Sequence, residues 1–223
     1  MANKRKKNAH SVYNYYECYA KVLLEEIYPN IYYNLEIKDK PDLQNTQSSL
    51  GVEVTTCIEQ NLLEAQQNWL IALRSSDKNK TEKAIERMNQ LGYTFTGGLQ
   101  CWSLNKNYTY EDLFGDPEFD RIYKMTNEKF MKLNNTGYQL LDKIDLFIHS
   151  EIYIPQNKYN DILTHLKEIN VDKRYFQYIF ITTSDNQLFL FDMIENRCIV
   201  KSYDEQQFAY SKQAAQMMNF EHS

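Results

Sequence analysis

The sequence has 223 residues, a formal net charge of −5, 43% hydrophobic residues and 25% charged residues. These values are ordinary for a globular chain, and the length is sufficient for one sizeable core. The acidic balance argues against strong non-specific affinity for nucleic acid, but it does not exclude a local metal site built from carboxylates.

Cysteine usage and hydropathy indicate the cellular compartment. The four cysteines are far apart, at positions 18, 57, 101 and 198, and no Cys-x-x-Cys pair supports a zinc cluster. The segment after Met1 is basic and then aromatic, so it lacks the apolar run of a signal peptide. No apolar segment is long enough to span a bilayer. We therefore expect a reduced, cytoplasmic protein with no membrane partner.

The first predicted elements are a tail, a helix and a strand. Residues 1–10 contain the basic run Lys4–Lys7 and are expected to form a disordered basic tail. Ser11 can cap a helix whose apolar residues recur at helical spacing, and Pro29 ends it. The run Ile31–Ile37 predicts a first strand.

The stretch from Lys40 to Thr55 organises the rest of the prediction. We expect Pro41–Gln44, a polar turn, and then a strand over Leu50–Cys57. Apolar side chains at positions 50, 52 and 54 alternate with other residues, which is the period of a strand. Glu53 is the only charge in that strand.

The remaining elements complete one α/β domain. Apolar periodicity predicts helices over 58–74, 81–91, 118–134 and 158–169, and strands over 93–102, 144–148, 175–183, 188–193 and 198–203, the first of these broken by a glycine turn. Residues 108–117 are expected to be irregular. The predicted organisation is a single domain over 11–204, a helical insertion at about 76–136, and a polar, weakly helical C-terminal tail over 205–223.

Two carboxylates on adjacent chain segments suggest a metal site. Asp42 and Glu53 lie eleven residues apart, on either side of the predicted turn. Burying Glu53 between apolar neighbours is costly unless a cation meets it, and a second nearby carboxylate adds repulsion. A divalent cation would relieve both problems because hard cations prefer carboxylate oxygens.

The order of helix, strand, Pro-Asp, turn, Gly-Val-Glu-Val-Thr and helix resembles the restriction-endonuclease-like PD-(D/E)XK nuclease superfamily over about residues 11–75. The resemblance implies a central mixed sheet flanked by helices. It also implies that Asp42 and Glu53 ligate Mg²⁺ or Mn²⁺, and that an acid of the first helix completes the site. That acid would be Glu17, with Glu26 as its rival.

The sequence departs from the superfamily pattern at one position. Thr55 stands where the motif usually carries a lysine that positions or deprotonates the attacking water. A hydroxyl can hydrogen-bond water but supplies no positive charge. Either a lysine arrives from elsewhere, or the metal alone activates water, or the site is catalytically weak. The lysines considered are Lys38 and Lys40, which are near in sequence, and Lys129 and Lys132, which can be near in space.

The resemblance implies a metal-dependent endonuclease that hydrolyses phosphodiester bonds of nucleic acid, DNA ahead of RNA, with Asp42, Glu53, Thr55 and Glu17 in its catalytic site. A homodimer would suit double-strand cleavage. The alternative is a catalytically weak or inactive binding or inhibitory module on the same fold, as phages or mobile elements could carry.

Plain structural roles compete with the functional ones. Glu17 could pair with Lys21 one helical turn away. His149 has no neighbour at ligand spacing and is expected to be a hydrogen-bonded strand-end residue. Asp145 and Glu151 flank an apolar strand and are expected to be solvated at its ends.

Overall fold

The computed structural model describes residues 14–58, 60–97, 100–103, 117–135, 137 and 141–218. The helices are α1 (Tyr15–Ile27), α2 (Gln60–Arg74), α3 (Lys78–Gln90), α4 (Pro117–Asn134), α5 (Tyr159–Ile169) and α6 (Gln207–Met217), with short 3₁₀ turns at Gln156–Lys158 and Asp204–Gln206. The strands are β1 (Glu36–Ile37), β2 (Leu43–Asn45), β3 (Leu50–Thr56), β4 (Tyr93–Gly97), β5 (Gln100–Ser103), β6 (Lys143–His149), β7 (Tyr178–Thr182), β8 (Gln187–Asp192) and β9 (Arg197–Ser202).

Seven of these strands form one mixed sheet in the order β1-β2-β3-β6-β7-β8-β9. The central strands β3, β6 and β7 are parallel, because helical crossovers connect them, and the outer pairs are antiparallel. Strands β4 and β5 form a separate two-stranded hairpin. The predicted α/β class with a central mixed sheet flanked by helices is therefore confirmed.

Each face of the main sheet is covered by two helices. Alternate side chains of β6, such as Leu146 and Ile148, pack with residues of α4 and α5. The intervening side chain Phe147 packs on the opposite face with residues of α1 and α6. Because β3 pairs with β6 in parallel register, its side chains divide between the same two faces.

The first helix and first strand differ from the prediction. Helix α1 begins at Tyr15, and the side chain of Asn14 caps it by accepting a hydrogen bond from the backbone N–H of Tyr16 at 3.0 Å. Ser11 and the basic tail lie outside the described residues. The strand predicted over Ile31–Ile37 is wrong except for Glu36 and Ile37, because the chain turns back after α1 through the hydrogen bond from Tyr32 N to Tyr28 O at 2.9 Å.

The C-terminal segment and the predicted insertion both contribute helices to the fold. The weakly helical segment predicted after residue 204 contains helix α6, whose Ala214 is fully buried in the core shared with α1. A small separate core joins α2, α3 and β4 through Leu62, Ala65, Met88 and Tyr93.

Helix α4 was predicted as part of the insertion, but it packs against the main sheet. The predicted irregular segment over 108–117 lies outside the described residues, except for residue 117.

Two further observations bear on the predicted compartment. Among the described helices, none is both long and apolar enough to cross a membrane. Cys18 and Cys198 are free thiols.

Gly51 allows the Pro-Asp segment to lie directly on β3. A Cβ atom added at Gly51 would collide with the ring of Pro41 and would lie 2.8 Å from Cδ1 of Leu141. Only glycine leaves room for the proline ring at this point of the sheet. The glycine therefore determines how closely Asp42, the next residue, can approach β3.

We expect Gly51→Ala to lower the free energy of unfolding by about 1–3 kcal/mol, because the added methyl group overpacks the contact with Pro41. Urea unfolding measures the change. Adding Pro41→Ala should restore part of the loss by removing the ring. Equal stability of Gly51→Ala and the unmodified protein would contradict this account of the contact.

Candidate functional site

Side chains alternate between the two faces of β3, and Glu53 and Thr55 lie on the face toward helix α4. Their neighbours Val52 and Val54 belong to the core on the α1 face. Glu53 and Thr55 pair with Leu146 and Ile148 of β6, which pack with α4 and α5. Glu53 therefore lies on the face of the sheet that α4 covers.

Asp42 approaches Glu53 from the adjacent antiparallel strand. In the register of β2 and β3, Leu43 lies opposite Val52, so the preceding residue continues the ladder toward Glu53. Oδ2 of Asp42 accepts a hydrogen bond from the backbone N–H of Val54 at 2.8 Å. This bond fixes the carboxylate beside β3, as the predicted pairing of the two acids requires.

Lys129 of α4 joins the two carboxylates. Its ammonium Nζ lies 2.5 Å from Oε1 of Glu53 and 4.0 Å from Oδ2 of Asp42. The Lys129 side chain is only 16% exposed, so water screens these charges weakly. Both predicted carboxylates thus lie on one side of the sheet and within reach of one cationic group.

The second carboxylate oxygen of Glu53 has no hydrogen-bond partner among residues 14–218 that the structure describes. Glu53 is 4% exposed, and its Oε2 atom is buried without a hydrogen bond. A buried carboxylate oxygen without a partner is costly, and it commonly marks a position where an ion or water binds. Burial, and then the charge of Glu53, raise the pKa of Asp42 to about 6, although the Val54 N–H and Lys129 act in the opposite direction.

Glu17 lies close enough to Asp42, Glu53 and Lys129 for their charges to affect its pKa. Burial and then the carboxylate of Asp42 raise its pKa to about 7, with a smaller contribution from Glu53, while Lys129 lowers it. The Glu17 carboxylate also accepts a hydrogen bond from the backbone N–H of Asn14, the N-cap residue three positions earlier. Glu17 therefore has a structural role at the start of α1 as well as a place beside the paired acids.

The alternatives considered for the first-helix acid are less well placed. Glu26 is exposed, and its charge acts on Tyr210 of α6. The pair predicted between Glu17 and Lys21 is not the one formed, because the ammonium of Lys21 lies 2.5 Å from Oε1 of Glu25. Glu25 also accepts a hydrogen bond from the backbone N–H of Leu35 at 2.8 Å.

Thr55 shares the face of Glu53 but points at a different residue of α4. Its hydroxyl lies 4.0 Å from the sulfur of Met125, a weak contact. Of the four lysines considered as substitutes for the motif lysine, only Lys129 reaches the carboxylates in the described structure. Lys38 pairs with Glu36, and Lys40 and Lys132 are exposed.

A signal for Lys129 was present in the sequence. It lies seven residues after Ile122, three after Thr126 and four before Leu133, all of which are buried. This spacing puts Lys129 on the inward stripe of α4, whereas Lys132 falls outside it. A lysine on an apolar stripe indicates a buried acidic partner on the facing element.

His149 and Asp145 have structural partners. Nδ1 of His149 lies 3.0 Å from the hydroxyl of Thr182, as expected for a hydrogen-bonded strand-end residue. The expectation that Asp145 is solvated was wrong. It is 1% exposed on the face opposite Glu53, accepting the Tyr32 hydroxyl at 2.6 Å and the Tyr178 N–H at 2.9 Å. Burial raises the pKa of Asp145 to about 7 despite these bonds.

The described residues contain no group of three or more His, Cys, Asp or Glu side chains arranged to hold a metal ion. The site as it stands is a pair of acids bridged by an ammonium, with a third acid nearby. Comparisons of the sequence with protein-family models and with curated proteins, and of the fold with solved structures, found no match.

The raised pKa of Asp145 predicts a pH-dependent stability. Between about pH 4 and 7 the folded protein holds a proton that the unfolded chain releases, so this group favours folding more at pH 5.5 than at pH 8. Asp145→Asn removes this dependence. We expect the stability of the unmodified protein relative to Asp145→Asn to rise by about 1–3 kcal/mol as pH falls from about 8 to 5.5.

Urea unfolding of both proteins at the two pH values measures this difference. Asp142→Asn is the matched control, because Asp142 is exposed in the same segment. A difference between Asp145→Asn and the unmodified protein that does not change with pH would show that Asp145 is ionised throughout.

Proposed function

We propose that this chain is a Mg²⁺- or Mn²⁺-dependent phosphodiesterase that acts on DNA, built on a restriction-endonuclease-like arrangement of the mixed sheet. The observation that carries the proposal is the convergence of Asp42 and Glu53 on the ammonium of Lys129, with Oε2 of Glu53 buried and unpaired. Carboxylates of neighbouring strands and a lysine at one point are the functional groups that phosphodiester hydrolysis needs.

The residues present fit a divalent cation by ligand type and by charge. Asp42, Glu53 and Glu17 offer hard oxygen atoms, and Oε2 of Glu53 lacks a hydrogen-bond partner among the described residues. With all groups ionised, these three acids and Lys129 carry a formal charge of −2, which one divalent ion would balance. We propose Asp42 and Glu53 as its ligands, with Glu17 joining them directly or through water.

Each protein group has a separate role in the proposed reaction. A bound divalent ion would supply Lewis-acid polarisation of the phosphate and a water of lowered pKa. Val54 N–H holds Asp42 in place through Oδ2. Lys129 would give up part of its contact with Glu53 and turn its ammonium toward the attacking water or the phosphate oxygens, where negative charge develops.

The position of Lys129 offers an explanation for the threonine at position 55, where the superfamily motif usually carries a lysine. Lys129 lies over Glu53, and Met125, one helical turn earlier, lies over Thr55. Four helical residues rise about 6 Å and two strand residues about 6.6 Å, so α4 runs opposite to β3 in matching steps. The lysine that the motif usually carries on the strand is supplied here by the facing helix.

Asp42→Asn and Glu53→Gln test the proposed ligands. Each variant should lose Mn²⁺ binding in calorimetry and at least about 100-fold of Mg²⁺- or Mn²⁺-dependent cleavage of plasmid and single-stranded DNA. Glu36→Gln is the matched control, because Glu36 is an exposed acid of the same sheet edge. Cleavage that is equal in both variants and the unmodified protein would overturn the proposal.

A relocation experiment tests the role of Lys129. We expect Lys129→Met to reduce cleavage about 10²–10³-fold, because it removes the cation that would stabilise the developing charge. Thr55→Lys in the same protein restores an ammonium on the same face two residues from Glu53, and should recover at least about tenfold. Lys132→Met, an exposed lysine on the same helix, should retain full activity.

The contact between Lys129 and Glu53 also favours a second function. If the Lys129–Glu53 pair is permanent, the charge of Glu53 is already neutralised, and no group of three ligands is in place among the described residues. The chain would then be a binding or inhibitory module without turnover. Absence of Mn²⁺ binding and of cleavage in the unmodified protein, with retained DNA binding after Glu53→Gln, would identify this function.

A further inference from the structure

His149 lies on the α1 side of the carboxyl end of β6, next to the strand that carries Glu53. It pairs with Thr56 in the β3–β6 ladder, and its carbonyl oxygen accepts the backbone N–H of Cys57 at 2.7 Å. The strand pairing holds its backbone at the point where the central parallel strands end.

The ring of His149 is fixed on three sides. Its Nδ1 atom lies 3.0 Å from the Thr182 hydroxyl, its centroid is 4.8 Å from the ring of Tyr16, and Tyr19 meets it edge-on at 5.6 Å. Such aromatic contacts stabilise packing beyond simple burial. Burial also lowers the pKa of His149 to about 4, so the ring is neutral near pH 7 and is not a phosphate-binding cation.

The contact with Tyr16 connects His149 to the proposed site. Tyr16 and Glu17 are consecutive residues of the first turn of α1, and Asn14 caps that turn. A shift of Tyr16 therefore moves Glu17. Glu17 is the only proposed ligand that comes from a helix rather than from the sheet or its turn. It depends on the docking of α1 for its place beside Asp42 and Glu53.

We infer that His149 is a positioning residue that holds the first turn of α1 against the sheet, so that Glu17 faces Asp42 and Glu53. The inference rests on the proposed function for its effect on metal binding. It assigns His149 no contact with the substrate and no proton transfer. Its mechanism is ring packing on Tyr16 and Tyr19, with the Thr182 hydroxyl setting the ring's orientation.

The test compares His149→Ala with His149→Phe. The alanine variant loses the ring, and we expect its Mn²⁺ affinity in calorimetry to fall about tenfold, as is typical for residues that orient a metal ligand. The phenylalanine variant keeps an aromatic ring and should stay within about twofold of the unmodified protein. In a Glu17→Gln background, His149→Ala should have no further effect on affinity, because both changes act through the same ligand.

A metal-independent measurement separates this inference from the proposed function. Hydrogen exchange of the amides at 15–20 should accelerate in His149→Ala and stay near the original rate in His149→Phe. His165→Ala is the matched control, because its ring stacks on Tyr123 at 4.2 Å and makes a similar contact between α4 and α5. It should leave exchange at the start of α1 unchanged.

The outcomes decide between the two ideas. If the unmodified protein binds no Mn²⁺, the proposed function fails, and the exchange rates alone show whether His149 holds α1. If His149→Ala leaves both exchange and Mn²⁺ affinity unchanged, the positioning role is wrong. The role is also wrong if His149→Ala weakens Mn²⁺ binding equally in the presence and absence of the Glu17 carboxylate.

Discussion

The burial of Glu53 against one ammonium group is the interaction on which the site depends. A carboxylate at 4% exposure loses most of its hydration, at a cost on the order of several kcal/mol, unless a cation compensates. Lys129, from α4, compensates one oxygen of Glu53, and within the described part of the chain the other oxygen has no hydrogen-bond partner. Three features bring groups together at this point. Glu53 lies on one face of β3, α4 packs on that face, and Asp42 approaches from the adjacent strand. Removing Lys129 would leave the buried charge of Glu53 without its counterpart.

The architecture explains why these groups meet here. Parallel strands β3, β6 and β7 form the centre of the sheet, and helices from both faces flank them. In such sheets, side chains near the carboxyl ends of the strands are accessible to groups from several elements at once. Asp42 enters from the antiparallel edge because Gly51 leaves space for Pro41. Glu17 enters from α1 and Lys129 from α4, so opposite faces contribute to one cluster.

The two buried acids of the central strands illustrate how environment assigns different roles. Glu53 and Asp145 are both nearly inaccessible and lie on adjacent strands. Glu53 meets an ammonium and keeps an unpaired oxygen, whereas Asp145 is bonded by a tyrosine hydroxyl and a backbone amide. Asp145 therefore has the partners of a structural residue that fixes the Tyr32 loop, while Glu53 retains the capacity to bind something more.

Local sequence patterns were sufficient to predict the α/β class, most of the helices and central strands, and the proximity of Asp42 and Glu53, because periodicity and turn chemistry act over short distances. It predicted a helix containing Lys129 but offered that lysine only as one of four. It predicted Asp145 as solvated because a strand pattern does not show which loop will cover it. Only the tertiary structure decided these contacts: Lys129 and Glu53 are 76 positions apart, and Tyr32 and Asp145 are 113 apart. Such pairings are set by how helices dock on a sheet, and no local pattern of residues encodes them.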